Sequence, residues 1–233
     1  MGEPIRVLHI LQRMEAGGTQ ALLMNIYRKI DRTKVQFDFL VVYKEKQFYD
    51  DEIESMGGHV YKLSFREDLN LPKFQKDLKN LFKQHHEYQI VHCHAYTIGY
   101  FCLKAAKKAG IPVKIAHSHN NETVHDIKYL PKLFMQRLFT LNATDLFACS
   151  EEAGKYLFKD KPFRVLKNAI DSQQFIANEN IRREVRQELG LENKFVVGHV
   201  GRLHPQKNHD FLIDVFAEIK KKKPDAELIL VGT

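Results

Sequence analysis

Arg202 and Lys207 stand in the stretch VVGHVGRLHPQKNHD, residues 196–210, where a β-rich apolar run stops at Gly201 and a turn leads into an amphipathic helical pattern. A strand that ends in a glycine-containing loop and feeds a helix brings backbone N–H groups and the positive end of a helix dipole to one spot. Two cations fixed beside that spot suit a diphosphate. The other reading of the same residues is an ordinary strand-to-helix connection with solvated charges. Gly17 and Gly18, in EAGGTQ, pose a similar choice. Adjacent glycines let a ligand or a neighbouring domain approach the backbone closely, or they form a plain tight turn.

A second group of candidates is imidazole-based. His92 and His94 (HCH) and His117 and His119 (HSH) form two His-x-His pairs near the ends of apolar runs. Alternate residues on a strand face the same way, and imidazole is a common zinc ligand, so a metal site is one reading. No carboxylate stands at an evident metal-ligand spacing to these pairs. Capping and packing of strand ends is the other reading, and it suits His92 and His94 best. Asn120, Asn121 and Glu122 follow in a loop. Their amides and carboxylate suit sugar hydroxyls and are equally ordinary loop residues.

Holding these side chains in place falls to an alternation of strands and helices. Apolar, β-branched runs at residues 5–11, 35–42, 59–63, 90–94, 113–117 and 145–149 predict strands, and Thr19, Pro72 and Ser150 mark helix starts between them. Such alternation calls for an α/β fold with a parallel sheet covered on both faces, and ligands in such sheets bind beyond the carboxyl ends of the strands. After Ile170 the composition turns polar, which predicts a hinge and one exposed helix. The chain is therefore divided into an N-terminal Rossmann-like domain, 1–170, a linker and helix, 171–193, and a second Rossmann-like domain, 194–233. Of that second domain only a first βαβ part is expected: a strand at 194–200, a helix from Lys207 to Lys222 and a strand at 227–231.

Composition narrows the partners. With 233 residues, 28% charged and 44% hydrophobic, the chain is an ordinary globular sequence large enough for a real core. Three cysteines, Cys93, Cys102 and Cys149, are an odd number in apolar segments and read as reduced packing residues. No run is long enough to span a bilayer, and the N-terminus lacks a signal-peptide pattern, which points to the cytosol. The net charge of +7 favours anionic partners. Nucleic acid is not expected among them, because the lysines are spread along the chain without a basic patch interleaved with exposed aromatics. In 126–141, Lys128, Lys132 and Arg137 alternate with Leu, Phe and Met at helical spacing. That pattern suits either an amphipathic helix on anionic lipid or a core-facing stripe with a solvated basic face.

Taken in order, EAGGTQ, HCHAY, IAHSHN, FACSEEAGKYL, VLKNAIDSQQF and VGRLHPQKNHDFLI resemble the motifs of glycosyltransferase family 4, the retaining sugar transferases of GT-B fold. They are most similar to its bacterial capsule and exopolysaccharide transferases. The resemblance implies a nucleotide-diphosphate sugar donor, expected to be a UDP-sugar, and a lipid-linked or polysaccharide acceptor. It implies donor-diphosphate contacts from Arg202, Lys207, Gly17 and Gly18. His117 is placed at the reacting centre, with weaker sugar or acceptor contacts from His119, Asn120, Asn121 and Glu122. No metal and no other cofactor are required, because fixed cations and helix dipoles can offset the charge on the departing diphosphate. A peripheral place at the inner face of the cell membrane would follow from such an acceptor. Members of the family continue through further βα units with an acidic Glu-x7-Glu-like segment, so either a fragment or a shortened descendant is expected here, incomplete as a catalyst. A metal-dependent hydrolase built on the His-x-His pairs and a non-catalytic binding module are the alternatives from other classes.

Overall fold

The structure is a computed structural model, and it describes residues 2–65, 67–120 and 129–232. Two compact units divide the chain, Met1–Ile170 and Asp171–Thr233.

In the first unit the chain runs β1 (Ile5–Ile10), α1 (Gly18–Lys29), β2 (Val35–Val41), α2 (Asp50–Ser55), β3 (Val60–Lys62), α3 (Leu71–Gln84) and β4 (Tyr88–Cys93). It continues through α4 (Tyr96–Lys108), β5 (Val113–Ser118), α5 (Tyr129–Phe139), β6 (Asp145–Ala148), α6 (Glu151–Phe158) and β7 (Arg164–Val165). The seven strands form one parallel sheet in the order β3-β2-β1-β4-β5-β6-β7. The order reverses at β1 and β4, the switch point at which open α/β sheets take ligands.

Both faces of this sheet are covered, and so its strands read as nearly continuous apolar runs. One face packs Val7, Phe37 and Phe39 with Met24 and Tyr27 of α1 and Ile53 of α2. The other packs Leu8, Leu40 and Val91 with Phe74 and Leu78 of α3, Leu103 of α4 and Phe139 of α5. Asp38 is fully buried among these strands, and it accepts two hydrogen bonds from Arg6 (2.5 and 2.7 Å), one from the Tyr88 hydroxyl (2.8 Å) and one from the His59 amide (2.8 Å). A buried carboxylate is tolerated only with such a full set of partners.

Helix starts follow local chemistry. Asn70 accepts from the Lys73 amide with Pro72 in the first turn of α3, and Ser150 accepts from the Ala153 amide at α6. Thr19, expected as a cap, instead lies within α1, which begins at Gly18 with Gly17 in the cap position and no capping side chain. Cys93 and Cys102 are buried and Cys149 is partly so, all as thiols.

The second unit carries α7 (Glu179–Glu188), β8 (Phe195–Val200), α8 (His209–Lys222) and β9 (Ala226–Val231). β8 and β9 pair in parallel, with Val200 opposite Val231. α8 begins two residues later than the sequence pattern predicts. Pro205 to Lys207 form a separate 3-10 turn, and Asn208 takes a left-handed conformation, φ 49°, between the turn and the helix. Pro205 fixes the turn and Asn tolerates the left-handed region, so the chain changes direction there before the α-helical ladder starts. No helix among the described residues is long and apolar enough to cross a membrane.

Candidate functional site

Strand register brings the histidines together. His9 in β1 lies opposite His92 in β4, and Cys93 of β4 lies opposite Ala116 of β5, which places His94 and His117 at the same level of the sheet. His9, His92, His94 and His117 are all buried, and His119 is partly so. Their rings pack against one another, with centroids 4.3 Å apart for His92 and His94, 4.1 Å for His117 and His119, and 5.1 Å for His92 and His117. Phe37 and Phe39 close the cluster at His9, and Phe147 closes it at His92 and His117.

Three hydrogen bonds run between these rings. His9 Nδ1 and His94 Nε2 are 3.2 Å apart, His94 Nδ1 and His119 Nε2 are 2.8 Å apart, and His92 Nε2 and His117 Nδ1 are 3.0 Å apart. A neutral imidazole has one N–H and one lone pair, so each bond needs a donor tautomer facing an acceptor tautomer. Burial keeps the rings neutral. It lowers His9 to about 3, His117 to about 2 and His119 to about 4, and moves His92 and His94 well below the ordinary value; neighbouring histidines add to the effect on all but His119. His9 Nε2, His117 Nε2 and His119 Nδ1 are buried without a hydrogen-bond partner among the described residues. Among the described residues two groups of three could hold a metal ion, His9 with His92 and His94, and His94 with His117 and His119, the ligand atoms in each lying within 4.8 Å of one another. Both groups consist of histidine alone.

The loop beyond β5 is fixed by Tyr96 at the start of α4. Its hydroxyl accepts from the amides of His119 and of Asn120, the latter at 2.9 Å. Asn120 is exposed, and Asn121 and Glu122 lie outside the described residues. So do Lys128 and the side chain of Lys132; Arg137 and Phe134 on α5 are exposed, while Phe139 is buried.

Neither Gly17 nor Gly18 has a positive φ, so backbone conformation does not require glycine there. Space is the remaining reason. A Cβ at Gly18 would meet nothing within 4 Å, and one at Gly17 would meet only the flexible end of Gln20. With no capping side chain, the amides at the start of α1 are open to an anion.

In the second unit Arg202 and Lys207 are exposed and have no ion-pair partner among the described residues. Lys207 lays its stem over the end of β8: a Cβ at Gly201 would come within 3.5 Å of its Cδ and Cε. Two residues not predicted for the sites join them. His9 completes the histidine cluster, and its signal was present, because VLHI carries a histidine near the end of an apolar run as VHCH and IAHSH do. His209 at the start of α8 packs edge-on against His199 of β8, centroids 5.2 Å apart. A groove of about 630 Å³ between α3 and α4, lined by Lys76, Lys79, Lys83, Lys104 and Lys108, includes none of the candidate residues.

A parallel sheet with ligand-grade side chains at its switch point, followed by a second βαβ unit with a cationic turn, defines a GT-B type α/β protein. The chain belongs to glycosyltransferase family 4: the model "Glycosyltransferase Family 4" matches residues 16–174, and "Glycosyl transferases group 1" matches residues 181–233. It is 36% identical to EpsF of Bacillus subtilis (strain 168), named as a glycosyltransferase, over 97% of this chain and 62% of EpsF. It is 26% identical to the capsular polysaccharide biosynthesis glycosyltransferase CapH of Staphylococcus aureus, over 98% of this chain and 62% of CapH. Among solved structures it is similar to Anabaena HepE in complex with UDP-glucose, with a TM-score of 0.77 at 20% identity, over 97% of this chain and 60% of that one. The chain thus spans about three-fifths of the length of these proteins.

Proposed function

We propose that this chain is part of a glycosyltransferase that moves a sugar from a nucleotide-diphosphate donor, a UDP-sugar, to a lipid-linked or polysaccharide acceptor in capsule or exopolysaccharide synthesis, with retention of configuration. The observation that carries the reading is the cationic turn after β8, where Arg202 and Lys207 are exposed, without a carboxylate partner among the described residues, at the end of a parallel strand. The matched family, the name of CapH and the UDP-glucose held by a protein of the same fold support the substrate classes.

In this reading Arg202 and Lys207 offset the negative charge that develops on the departing diphosphate, the largest contribution a site of this kind can make. The uncapped amides at Gly17 and Gly18 offer a second place for phosphate oxygens. His117, neutral and with one nitrogen unpartnered, orients a sugar hydroxyl. His119 and Asn120, tied to Tyr96, offer further polar contacts, and Asn121 and Glu122 keep the sugar or acceptor role expected of them. Fixed cations make a metal unnecessary for transfer. A cytoplasmic site of action at the inner face of the membrane fits a nucleotide-sugar donor, a lipid-linked acceptor and a net charge of +7. The hydrolase alternative is weaker, since neither histidine group includes a carboxylate to serve as general base.

Calorimetric titration with UDP, with and without EDTA, tests the reading on this chain and on an Arg202→Ala/Lys207→Ala variant. Metal-independent binding that the double variant loses is expected. A folded parent chain that binds no UDP would overturn the donor-site assignment.

A further inference from the structure

We propose that the groove between α3 and α4 seats an anionic phospholipid of a bilayer, its phosphate held by lysines at the rim and the apolar part next to it lying on the groove floor. This gives a surface to the membrane-face location in the function proposed above and rests on that location; it is independent of the donor site.

Folding gathers lysines that the sequence spreads out. Lys76, Lys79 and Lys83 recur at i, i+3 and i+7 along α3 and so share one face of it, and Lys104 and Lys108 recur at i and i+4 along α4. Both helices cover the same face of the sheet, with Phe74, Leu78 and Leu103 in one core. The two stripes line a single groove of about 630 Å³, a size typical of sites for small molecules, about 300–1,000 Å³. All five lysines are exposed, and among the described residues none has a carboxylate partner and no Asp or Glu lines the groove. Lys73, also on α3 but outside the groove, shows the contrast, since it pairs with Asp68 at 3.5 Å and Asp77 at 3.1 Å. Five like charges side by side repel one another, and an anion settling among them relieves that repulsion.

The floor decides which anion. Phe82 is buried, and Phe101 and Ala105 are half-buried against the core. A free phosphate ion would leave this apolar surface wet, whereas a phospholipid covers it while its phosphate meets the ammonium groups above. Lysine stems lying over apolar surface with their heads in water suit that boundary. Nucleic acid is a poorer fit, because bases stack on open aromatic faces. Phe82 offers none, and Phe101 packs edge-on against Tyr100, centroids 5.2 Å apart.

Sedimentation of the full chain with vesicles, without nucleotide, tests this. Vesicles containing phosphatidylglycerol should bind it in 0.1 M salt, vesicles of phosphatidylcholine alone should not, and millimolar glycerol 3-phosphate should fail to displace it. Each lysine near an anionic surface strengthens binding about fivefold, so Lys76→Gln/Lys79→Gln/Lys83→Gln should weaken it about a hundredfold. Lys29→Gln/Arg32→Gln/Lys34→Gln removes the same charge at the end of α1, on the opposite face of the sheet. Screening at that salt acts over about 10 Å, so this variant should lose less than about threefold. Ala105→Glu, which places a carboxylate on the floor, should abolish binding, whereas a diffuse basic surface would lose only the effect of one charge. Circular dichroism identifies any variant that fails to fold, and the two triple variants change exposed side chains only. A folded parent chain that ignores phosphatidylglycerol vesicles would overturn the proposal, and so would equal losses from the two triple variants. Displacement by glycerol 3-phosphate would overturn it in favour of a free phosphate. An oligonucleotide or polyglutamate held by the groove lysines while vesicles are ignored would overturn it in favour of another polyanion. Because no nucleotide is present, each of these outcomes leaves the UDP titration to be read separately.

Discussion

The histidines at the ends of β1, β4 and β5 are held by burial and by one another, whereas Arg202 and Lys207 stand in water with only a turn to place them. The first group sits in a unit with a large buried core, against Phe37, Phe39 and Phe147. In the second unit, among the described residues, Ala226 alone is a buried apolar residue, and Val200, Leu203, Phe211 and Val231 are exposed. Chemistry that needs a fixed, neutral nitrogen can be built only in the first way, since burial supplies both the position and the protonation state. Chemistry that needs charge is better served by the second, because a cation left in water keeps its charge without a desolvation cost until a ligand arrives. The two regions should therefore respond in opposite ways to acid and to mutation.

Acid should produce the largest difference. In the unfolded chain histidine titrates near pH 6.5, while in the folded chain His9, His117 and His119 take up protons only near about 3, 2 and 4. The unfolded state thus binds more protons as the pH falls below about 6.5, so stability is complete above that value and is lost progressively on acidification. At pH 5 each histidine kept neutral costs about 2 kcal/mol, and several together approach the whole stability of a domain. Urea midpoints of chelator-treated protein measured from pH 8 to pH 5 should fall steeply, and His119→Gln should reduce the slope. A flat profile would mean that the cluster is hydrated.

The next largest effect should come from His94→Ala. It removes the ring bonded to both His9 and His119, so it leaves a void and orphans two buried nitrogens. A loss of about 2–4 kcal/mol is expected from chemical denaturation. A loss below about 0.5 kcal/mol, the range of ordinary surface substitutions, would remove the distinction between the two regions.

Much of this was legible in the sequence, because parallel strands leave continuous apolar runs and because Pro72 and Ser150 announce helix starts. The strand ends at 93, 118 and 200 fall within a residue or so of the apolar runs that predict them. What the sequence could not carry was pairing. His-x-His spacing indicates which residues share a strand face, but strand register alone brings His9, far away in the chain, to His92 and His94. The start of α8 was misplaced for a local reason, since the left-handed Asn208 interrupts a pattern that hydrophobic periodicity reads as continuous. Gly17 and Gly18, read as a turn, instead take the cap position and the first residue of α1; neither has a special backbone angle, and a Cβ would meet open space at Gly18 but the end of Gln20 at Gly17.

Lys207→Ala should leave stability within about 0.5 kcal/mol of the parent, because the residue is exposed and unpaired, yet weaken UDP binding by about tenfold or more. Thermal melting and calorimetry on the same sample separate the two quantities. If stability and binding fall together, Lys207 supports the turn and does not act on the ligand.

The smallest structural effect should be at Gly18. Its α-carbon faces open space, so Gly18→Ala and Gly18→Leu should both fold with stability within about 1 kcal/mol of the parent. Any penalty must then fall on a ligand that uses that space. With phosphate oxygens resting on the open amides of α1, the leucine variant should bind UDP-sugar more weakly than the alanine variant in the complete enzyme, with melting temperatures nearly equal. Equal affinities across parent, alanine and leucine would remove the turn from the donor site and leave the cationic turn after β8 as the sole diphosphate contact.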